Sequence, residues 1–375
     1  MRLVFLTHRL SYSGAPKMLA WIANQMSQRG HEVHVISYFT SEQMQQLDEK
    51  VIFHCLQVKQ NRSRLVRNSV EMARVQYKLL KILNHLAPDM IVAFSISGSF
   101  VFLGLNRMFG KHKVIISERA DPYAYRGIIA RIRFKLMGCA DGVVFQTEGA
   151  QTFYNGKNEK IRKVSVVIPN PVIIKDVVKQ NISHFQFAFE NRDNRVVTVG
   201  RLSLAQKRQD VLLEAFAIVR KTYPELTLTI YGDGTDKEKI QVLINRLGLD
   251  DCVKLAGVTS NVEEEICSAR VFVLTSDFEG IPNALIEALS IGVPCVSTKC
   301  SPGGAEVLIK DGENGFLVPC GDTLALADRI LELVQNKNVS GRFSKEGPKI
   351  AEKFSKEKIA DMWEEYIFII ANRQG

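Results

Sequence analysis

Two glutamates eight residues apart, Glu279 and Glu287, stand in the run Ser276-Asp277-Phe278-Glu279-Gly280-Ile281-Pro282-Asn283-Ala284-Leu285-Ile286-Glu287-Ala288. Pro282 has the fixed backbone angle suited to a first helical turn, and the residues after it are good helix formers, so a loop is predicted to pass into a helix here. Glu279 then lies on the loop and Glu287 about a turn and a half inside the helix. The first-turn amides of Asn283, Ala284 and Leu285, together with the helix dipole, favour an anion such as a phosphate. Carboxylates beside an anion make sense only if they accept hydrogen bonds from hydroxyl groups. A nucleotide sugar brings both parts: a diphosphate for the helix end, and ribose and hexose hydroxyls for the acids. The plainer reading is a helix start decorated with acids for dipole reasons.

A second set of charges precedes this run. Arg201 follows the turn residue Gly200 at the end of a predicted strand, with Lys207 six residues on. Two cations there suit a diphosphate, which an arginine grips through two hydrogen bonds at once. Read plainly, they are two solvated charges after a strand.

These residues need elements to hold them. Predicted strands at 3–7, 32–38, 90–94, 114–117, 142–146 and 164–168 alternate with helices, the first helix covering about 16–29. Pro169-Asn170-Pro171 breaks the series, and residues 173–194 are polar and irregular. A second series has strands at 195–199, 226–231, 253–256, 271–274, 294–297 and 316–318, again with helices between them. Residues 356–372 form an amphipathic helix carrying Trp363, Tyr366 and Ile369. The organisation expected is an N-terminal Rossmann-like domain over 1–173, a linker over 174–194 and a C-terminal Rossmann-like domain over 195–355. The last helix, about 356–375, crosses back to the first domain.

The 375 residues, 46% hydrophobic and 24% charged, describe a globular chain rather than a disordered or fibrous one. No apolar run is long enough to span a membrane, and the N-terminus lacks the pattern of a signal peptide. Seven scattered cysteines without CxxC spacing argue against a disulfide framework or a zinc site and fit a reducing, cytoplasmic setting. The seven histidines show no ligand spacing, and no aspartate-rich site for a divalent ion is evident, although Asp233 and Asp277 are not excluded as contacts. Metal independence is therefore expected.

The ordered landmarks resemble glycosyltransferase family 4, the retaining nucleotide-sugar enzymes of GT-B fold. The resemblance rests on Gly14-Ala15, Val199-Gly200-Arg201-Leu202 with Lys207, Tyr231-Gly232-Asp233-Gly234, Leu255-Ala256-Gly257, Gly292-Val293-Pro294, Asp311-Gly312-Glu313-Asn314-Gly315 and the Glu279/Glu287 pair. It implies an α/β chain of two Rossmann-like domains facing a central cleft. It also implies catalytic roles for Arg201, Lys207 and Glu279, and donor contacts by Gly14, Gly257, Val258, Gly280, Asn283, Ala284, Leu285 and Glu287. The acceptor is expected to attack from the face the diphosphate leaves, with the departing phosphate oxygen taking its proton. Glu279 as a covalent nucleophile is the alternative. Many relatives carry a histidine where this chain reads Ser117-Glu118-Arg119-Ala120-Asp121. An arginine cannot serve as a base, so Arg119, with Asp121, is placed on the acceptor or donor-sugar side. An ion pair of Arg119 with Glu118 or Asp121 is the plain alternative.

Charge is uneven. Residues 1–180 hold 26 Lys and Arg against 12 Asp and Glu, a net of +14, while the remainder nets −5. Arg64, Arg67, Arg74, Lys78 and Lys81 fall on one face of a predicted helix, and Arg126, Arg131, Arg133 and Lys135 form a second cluster. Both suit docking on an anionic membrane, hence a peripheral place at the inner face of the plasma membrane and a lipid-linked saccharide acceptor. Each is also readable as a solvated helix face. The donor expected is a UDP-hexose or UDP-N-acetylhexosamine, the product a cell-surface glycan. A nucleotide-sugar epimerase or a polysaccharide phosphorylase of similar fold, and a basic nucleic-acid-binding protein, are the other classes. The last predicts basic residues interleaved with aromatics, a pattern this sequence lacks.

Overall fold

The computed structural model describes the chain apart from residues 12–13, 41–43, 57–64, 95–101, 105, 107–111, 120, 125–126, 174–188 and 374–375. It contains two compact units, one of Met1–Asn170 with Glu357–Gly375 and one of Pro171–Lys356.

Each unit is built on a wholly parallel sheet. In the first the order is β3-β2-β1-β4-β5-β6-β7, with β1 Arg2–Thr7, β2 Glu32–Ser37, β3 Ile52–Cys55, β4 Met90–Phe94, β5 Val114–Ser117, β6 Gly142–Phe145 and β7 Ser165–Val167. In the second it is β10-β9-β8-β11-β12-β13, with β8 Asp193–Val199, β9 Thr227–Tyr231, β10 Val253–Gly257, β11 Ala269–Leu274, β12 Cys295–Thr298 and β13 Phe316–Val318. The central strands are mostly apolar rather than alternating, because helices cover both faces; every residue of β4, β5, β6 and β11 is buried, Ser117 and Arg270 included. In both sheets the order reverses beside the first strand, between β1 and β4 and between β8 and β11. Such a switch point, at the carboxyl edge of the strands, is where open α/β sheets bind their ligands.

The sequence pattern misses one strand, β3. It has four residues at the sheet edge, with Ile52 48% exposed and the rest half-buried, so it carries little periodic signal. The first helix, Gly14–Gln28, starts two residues before its expected place.

The final helix, Lys356–Asn372, coincides with its predicted span and packs within the first unit. Its buried stripe is Ile359, Trp363, Tyr366, Ile367 and Ile370, whereas Ile369, expected on that face, is 52% exposed. Trp363 stacks on Phe94 with ring centroids 5.9 Å apart. The Tyr366 hydroxyl donates to the Val164 carbonyl and accepts from the Val143 amide at 3.0 Å. Burial pushes that phenol up to about 12. The close approach requires Gly142, since a Cβ there would lie 2.8 Å from the Tyr366 hydroxyl. Arg29 pairs with Asp361 at 2.6 Å and Glu364 at 2.5 Å, and His31 Nε2 lies 2.8 Å from Glu364. Lys113 Nζ meets the terminal carbonyls of Ile370 and Ala371 at 3.3 and 2.6 Å, where the helix dipole is negative.

Tyr366→Phe strands both the Val143 amide and the Val164 carbonyl, and it is expected to cost about 1–3 kcal/mol. The check is a drop in the urea midpoint of the first unit, followed through tryptophan fluorescence, since Trp21 and Trp363 both belong to it.

Candidate active site

At the carboxyl edge of the second sheet the loops that follow β8 and β11 meet. The loop after β8 is drawn tightly onto the loop after β9. Gly200 N donates to Tyr231 O and Leu202 N to Asp233 O, each at 3.0 Å. Gly232 has φ +131, and a Cβ on it would lie 1.9 Å from the Gly200 carbonyl. Only glycine fits there. Arg201 is thereby left on the surface with its side chain exposed and with no ion pair among the described residues.

A short helix, Leu204–Lys207, brings Lys207 back over Gly200, where a Cβ would lie 3.3 Å from Lys207 Cε. Lys207 Nζ makes an ion pair with Glu279 Oε1, and both side chains are mostly buried. Ser276 Oγ donates to the same oxygen at 2.8 Å. The loops are also stitched through their backbones: Asp277 N donates to Gln206 O at 2.9 Å, Gln206 Nε2 to Phe278 O at 3.2 Å and Thr275 Oγ1 to Lys207 O at 2.7 Å. A third loop, after β12, joins them. Glu279 N donates to Ser301 O at 2.7 Å and Ser301 N to Asp277 O at 3.0 Å. A Cβ on Gly304 would lie 1.6 Å from the Gly280 carbonyl, so this contact too requires glycine.

The sequence places Lys207 beside Arg201 as a second free cation. In the structure its charge is balanced by Glu279, and Arg201 is the uncompensated one. The sequence also passes over Arg208, which pairs with Asp210 at 3.0 Å and Asp277 at 3.1 Å. The signal available for it was its position directly after Lys207.

Pro282, with φ −74 and ψ 107, is the N-cap rather than the first helical residue, and the helix runs Asn283–Ser290. The amide of Leu285, assigned to the ligand from the sequence, is already donated to Pro282 O at 3.1 Å, and its side chain is fully buried. Asn283 and Ala284 keep their places in the first turn, half-buried. Glu287 lies one turn into the helix and is 8% exposed. Gly257, with φ +77, ends β10 and accepts from Gly232 N at 2.7 Å; Val258 beside it is 69% exposed.

The other candidates lie in the first unit. Gly14 opens the helix that follows β1. Asp121 is buried and accepts from Tyr123 N at 3.2 Å. Arg119, just beyond β5, donates to Ser117 Oγ at 2.7 Å and Asn170 Oδ1 at 2.6 Å, with its guanidinium 4.7 Å from the Phe94 ring centroid. Its Nη2 is buried without a partner. Burial pulls this guanidinium down to about 9, so it stays charged at neutral pH. The alternative of an ion pair with Glu118 fails, because Glu118 is held by Arg133 and by the Tyr154 hydroxyl at 3.3 Å.

That same pair corrects the basic surface: Arg133 is 4% exposed and is an interior residue. Arg131 and Lys135 on the helix Gly127–Met137 are exposed, as are Arg74, Lys78 and Lys81 on the helix Leu65–Leu86. Arg64, Arg126 and the Arg67 side chain lie outside the described residues. Among the described residues no cluster of His, Cys, Asp and Glu could hold a metal ion, and no helix is long and apolar enough to cross a membrane. All seven cysteines are unpaired.

Comparison with known proteins matches this arrangement. A family model described as Glycosyl transferases group 1 covers residues 193–336, and one described as Glycosyl transferase 4-like covers residues 10–126. Between them they span more than half of the chain. The chain belongs to the GT-B glycosyltransferases of the family 4 type. A relative from Campylobacter jejuni is 28% identical over 375 residues, covering 99% of this chain and 98% of its own. It is an α-1,4-N-acetyl-D-galactosaminyltransferase named for GalNAc-α-(1→4)-GalNAc-α-(1→3)-diNAcBac-PP-undecaprenol. The amylovoran biosynthesis glycosyltransferase AmsD of Erwinia amylovora is 22% identical, covering 98% of this chain and 99% of that one. The Anabaena protein Alr3699/HepE in complex with UDP-glucose shares the fold, with a TM-score of 0.80 at 19% identity over 98% of this chain and 99% of that one. This glycosyltransferase thus has homologues among transferases of lipid-linked glycans and of polysaccharide biosynthesis.

Lys207→Met leaves the Glu279 carboxylate mostly buried without its counter-charge, and the enzyme is expected to lose about 1–3 kcal/mol. Adding Glu279→Gln should recover most of that loss. A double-mutant cycle on chemical unfolding midpoints measures it.

Proposed function

We propose that this glycosyltransferase is a retaining enzyme that moves a hexose or N-acetylhexosamine from a UDP-sugar to a lipid-linked saccharide in cell-surface glycan synthesis, without a metal ion. The observation that carries the reading is the Lys207–Glu279 pair at the sheet's switch point, with Glu287 buried one turn into the adjacent helix. Lys207 and Ser276 both hold Glu279 Oε1, which orients Oε2 to accept from a donor-sugar hydroxyl. Glu287 accepts from the ribose hydroxyls. The charge growing on the departing diphosphate is met by Arg201 and the first-turn amides of the helix Asn283–Ser290. Removing one such preorganised donor costs roughly 2.7–4 kcal/mol of transition-state stabilisation. A carboxylate tied to a lysine is a poor nucleophile, and this favours attack by the acceptor on the face that the diphosphate leaves. The undecaprenol-linked substrate named for the Campylobacter jejuni relative supports the choice of acceptor. Arg119 and Asp121 are assigned to the acceptor or donor-sugar side.

The test is a thermal-shift screen with UDP, GDP, ADP and their sugars. A ligand at 100 times its dissociation constant adds about 2.7 kcal/mol of stability. UDP and one UDP-sugar are expected to stabilise the wild type but neither Arg201→Ala nor Glu287→Ala. Stabilisation by GDP or ADP alone overturns the donor assignment. With a turned-over donor, proton NMR of the first product should show the donor's anomeric configuration kept, and an inverted product overturns the retaining assignment.

For the membrane, the exposed cations Arg74, Lys78, Lys81, Arg131 and Lys135 are assigned to an anionic surface, each contributing about 1 kcal/mol. Flotation with vesicles containing phosphatidylglycerol should carry the protein at low salt and release it at high salt. The Arg74→Glu/Lys78→Glu/Lys81→Glu variant should stay at the bottom of the gradient.

A further inference from the structure

We propose that Arg208 is a positioning residue whose guanidinium, bridging Asp210 and Asp277, holds Lys207 against Glu279. The inference rests on the reading of Lys207 and Glu279 as donor-site residues. Arg208 has φ 49 and ψ 46, a left-handed backbone that non-glycine residues seldom adopt. It is the single hinge between two helices, the C-cap of Leu204–Lys207 and the N-cap of Gln209–Thr222.

Five hydrogen bonds to two carboxylates hold its guanidinium. In the shortest from each nitrogen, Nε lies 3.1 Å from Asp210 Oδ1, Nη2 3.0 Å from Asp210 Oδ2, and Nη1 3.1 Å from Asp277 Oδ2. Asp210 belongs to the first turn of the following helix, and Asp277 stands two residues before Glu279. One guanidinium therefore ties the turn that aims Lys207 to the loop that carries Glu279. The backbone stitches between these loops reach only as far as the Lys207 carbonyl. The left-handed turn at Arg208 ends that short helix and starts the next, so its guanidinium bridge fixes the end of the helix carrying Lys207 against the loop of Glu279.

A second consequence is electrostatic. Two carboxylates share the one arginine, and Lys207 is its neighbour in the chain. Once the guanidinium is removed, two carboxylates are left facing each other across the junction of the two loops, and their repulsion pushes the loop of Glu279 away from the turn after Lys207. Arg208 thus keeps Lys207 on Glu279 both by bridging the loops and by neutralising that repulsion.

The experiment compares wild type, Arg208→Gly and Asp277→Asn, with Arg208→Lys as the conservative variant. Glycine adopts the left-handed turn without strain, so Arg208→Gly separates loss of the guanidinium from loss of the fold, and its Tm should stay close to wild type. Without any ligand, reductive methylation read by peptide mass spectrometry should label Lys207 several-fold faster in Arg208→Gly and Asp277→Asn, with Arg208→Lys in between. For UDP release from UDP-N-acetylglucosamine, UDP-N-acetylgalactosamine, UDP-glucose and UDP-galactose, kcat should fall roughly 10- to 100-fold while the UDP dissociation constant stays near wild type. In a Lys207→Ala background the Arg208→Gly change should cost nothing further.

Unchanged labelling of Lys207 in a folded Arg208→Gly protein overturns the proposal. So does an equal loss of kcat on top of Lys207→Ala. If the wild type releases UDP from none of the four sugars, the donor assignment has failed, and the labelling result alone decides the role of Arg208.

Discussion

The ion pair between Lys207 and Glu279 demands that two loops, their residues 72 apart in the chain, arrive at one point. Neither charge could be left there alone at acceptable cost, since an unpaired charge out of water is strongly unfavourable. The surroundings follow from that demand. Parallel β8 and β11 are hydrogen-bonded neighbours, so their carboxyl ends deliver both loops side by side. Ser301 and Gln206 use up loop polar groups that would otherwise compete for the pair, while Ser276 donates to Glu279 itself. With Lys207 and Arg208 both engaged by carboxylates, Arg201 keeps its charge unspent among the described residues.

Glycine does the complementary steric work. Gly232 and Gly304 lie where a Cβ would fall within 2 Å of another residue's carbonyl oxygen. Each allows one loop to rest directly on another with no side chain between them. The carboxyl edge of the second sheet is consequently a thin, backbone-lined rim. Backbone amides and a few chosen side chains, rather than a padding of large residues, face outward from it.

Much of this was legible in the sequence. Twelve of the thirteen described strands follow from apolar runs punctuated by Gly and Pro, because central strands of a covered parallel sheet need no alternation to be recognised. β3 was not legible, since an edge strand that is half-exposed carries little burial for the pattern to record. The site residues were recognisable by type and order, but not by partner. That Lys207 meets Glu279, and that the next residue, Arg208, takes a left-handed turn where sequence rules expect glycine, no residue type announces. Arg133 misled for a different reason. It shares a buried stripe with Ala130 and Met137 at helical spacing, and that spacing was readable, but a charge inside a basic cluster was counted as surface. Leu285 differs because its amide closes a tight i→i−3 turn onto the Pro282 carbonyl, a local tightening that residue types do not announce.

The placing of the helix Lys356–Asn372 in the first unit bears on how the molecule is made. The described β-strands of that unit are all translated before residue 170, yet the Trp363 and Tyr366 that cover Phe94 and Val143 are translated after the whole of the second unit. The second unit, Pro171–Lys356, is contiguous and can close while the first still exposes an apolar face. The core of the first unit therefore cannot be completed until the second has been synthesised, and until then its uncovered apolar face is the surface most open to misassembly.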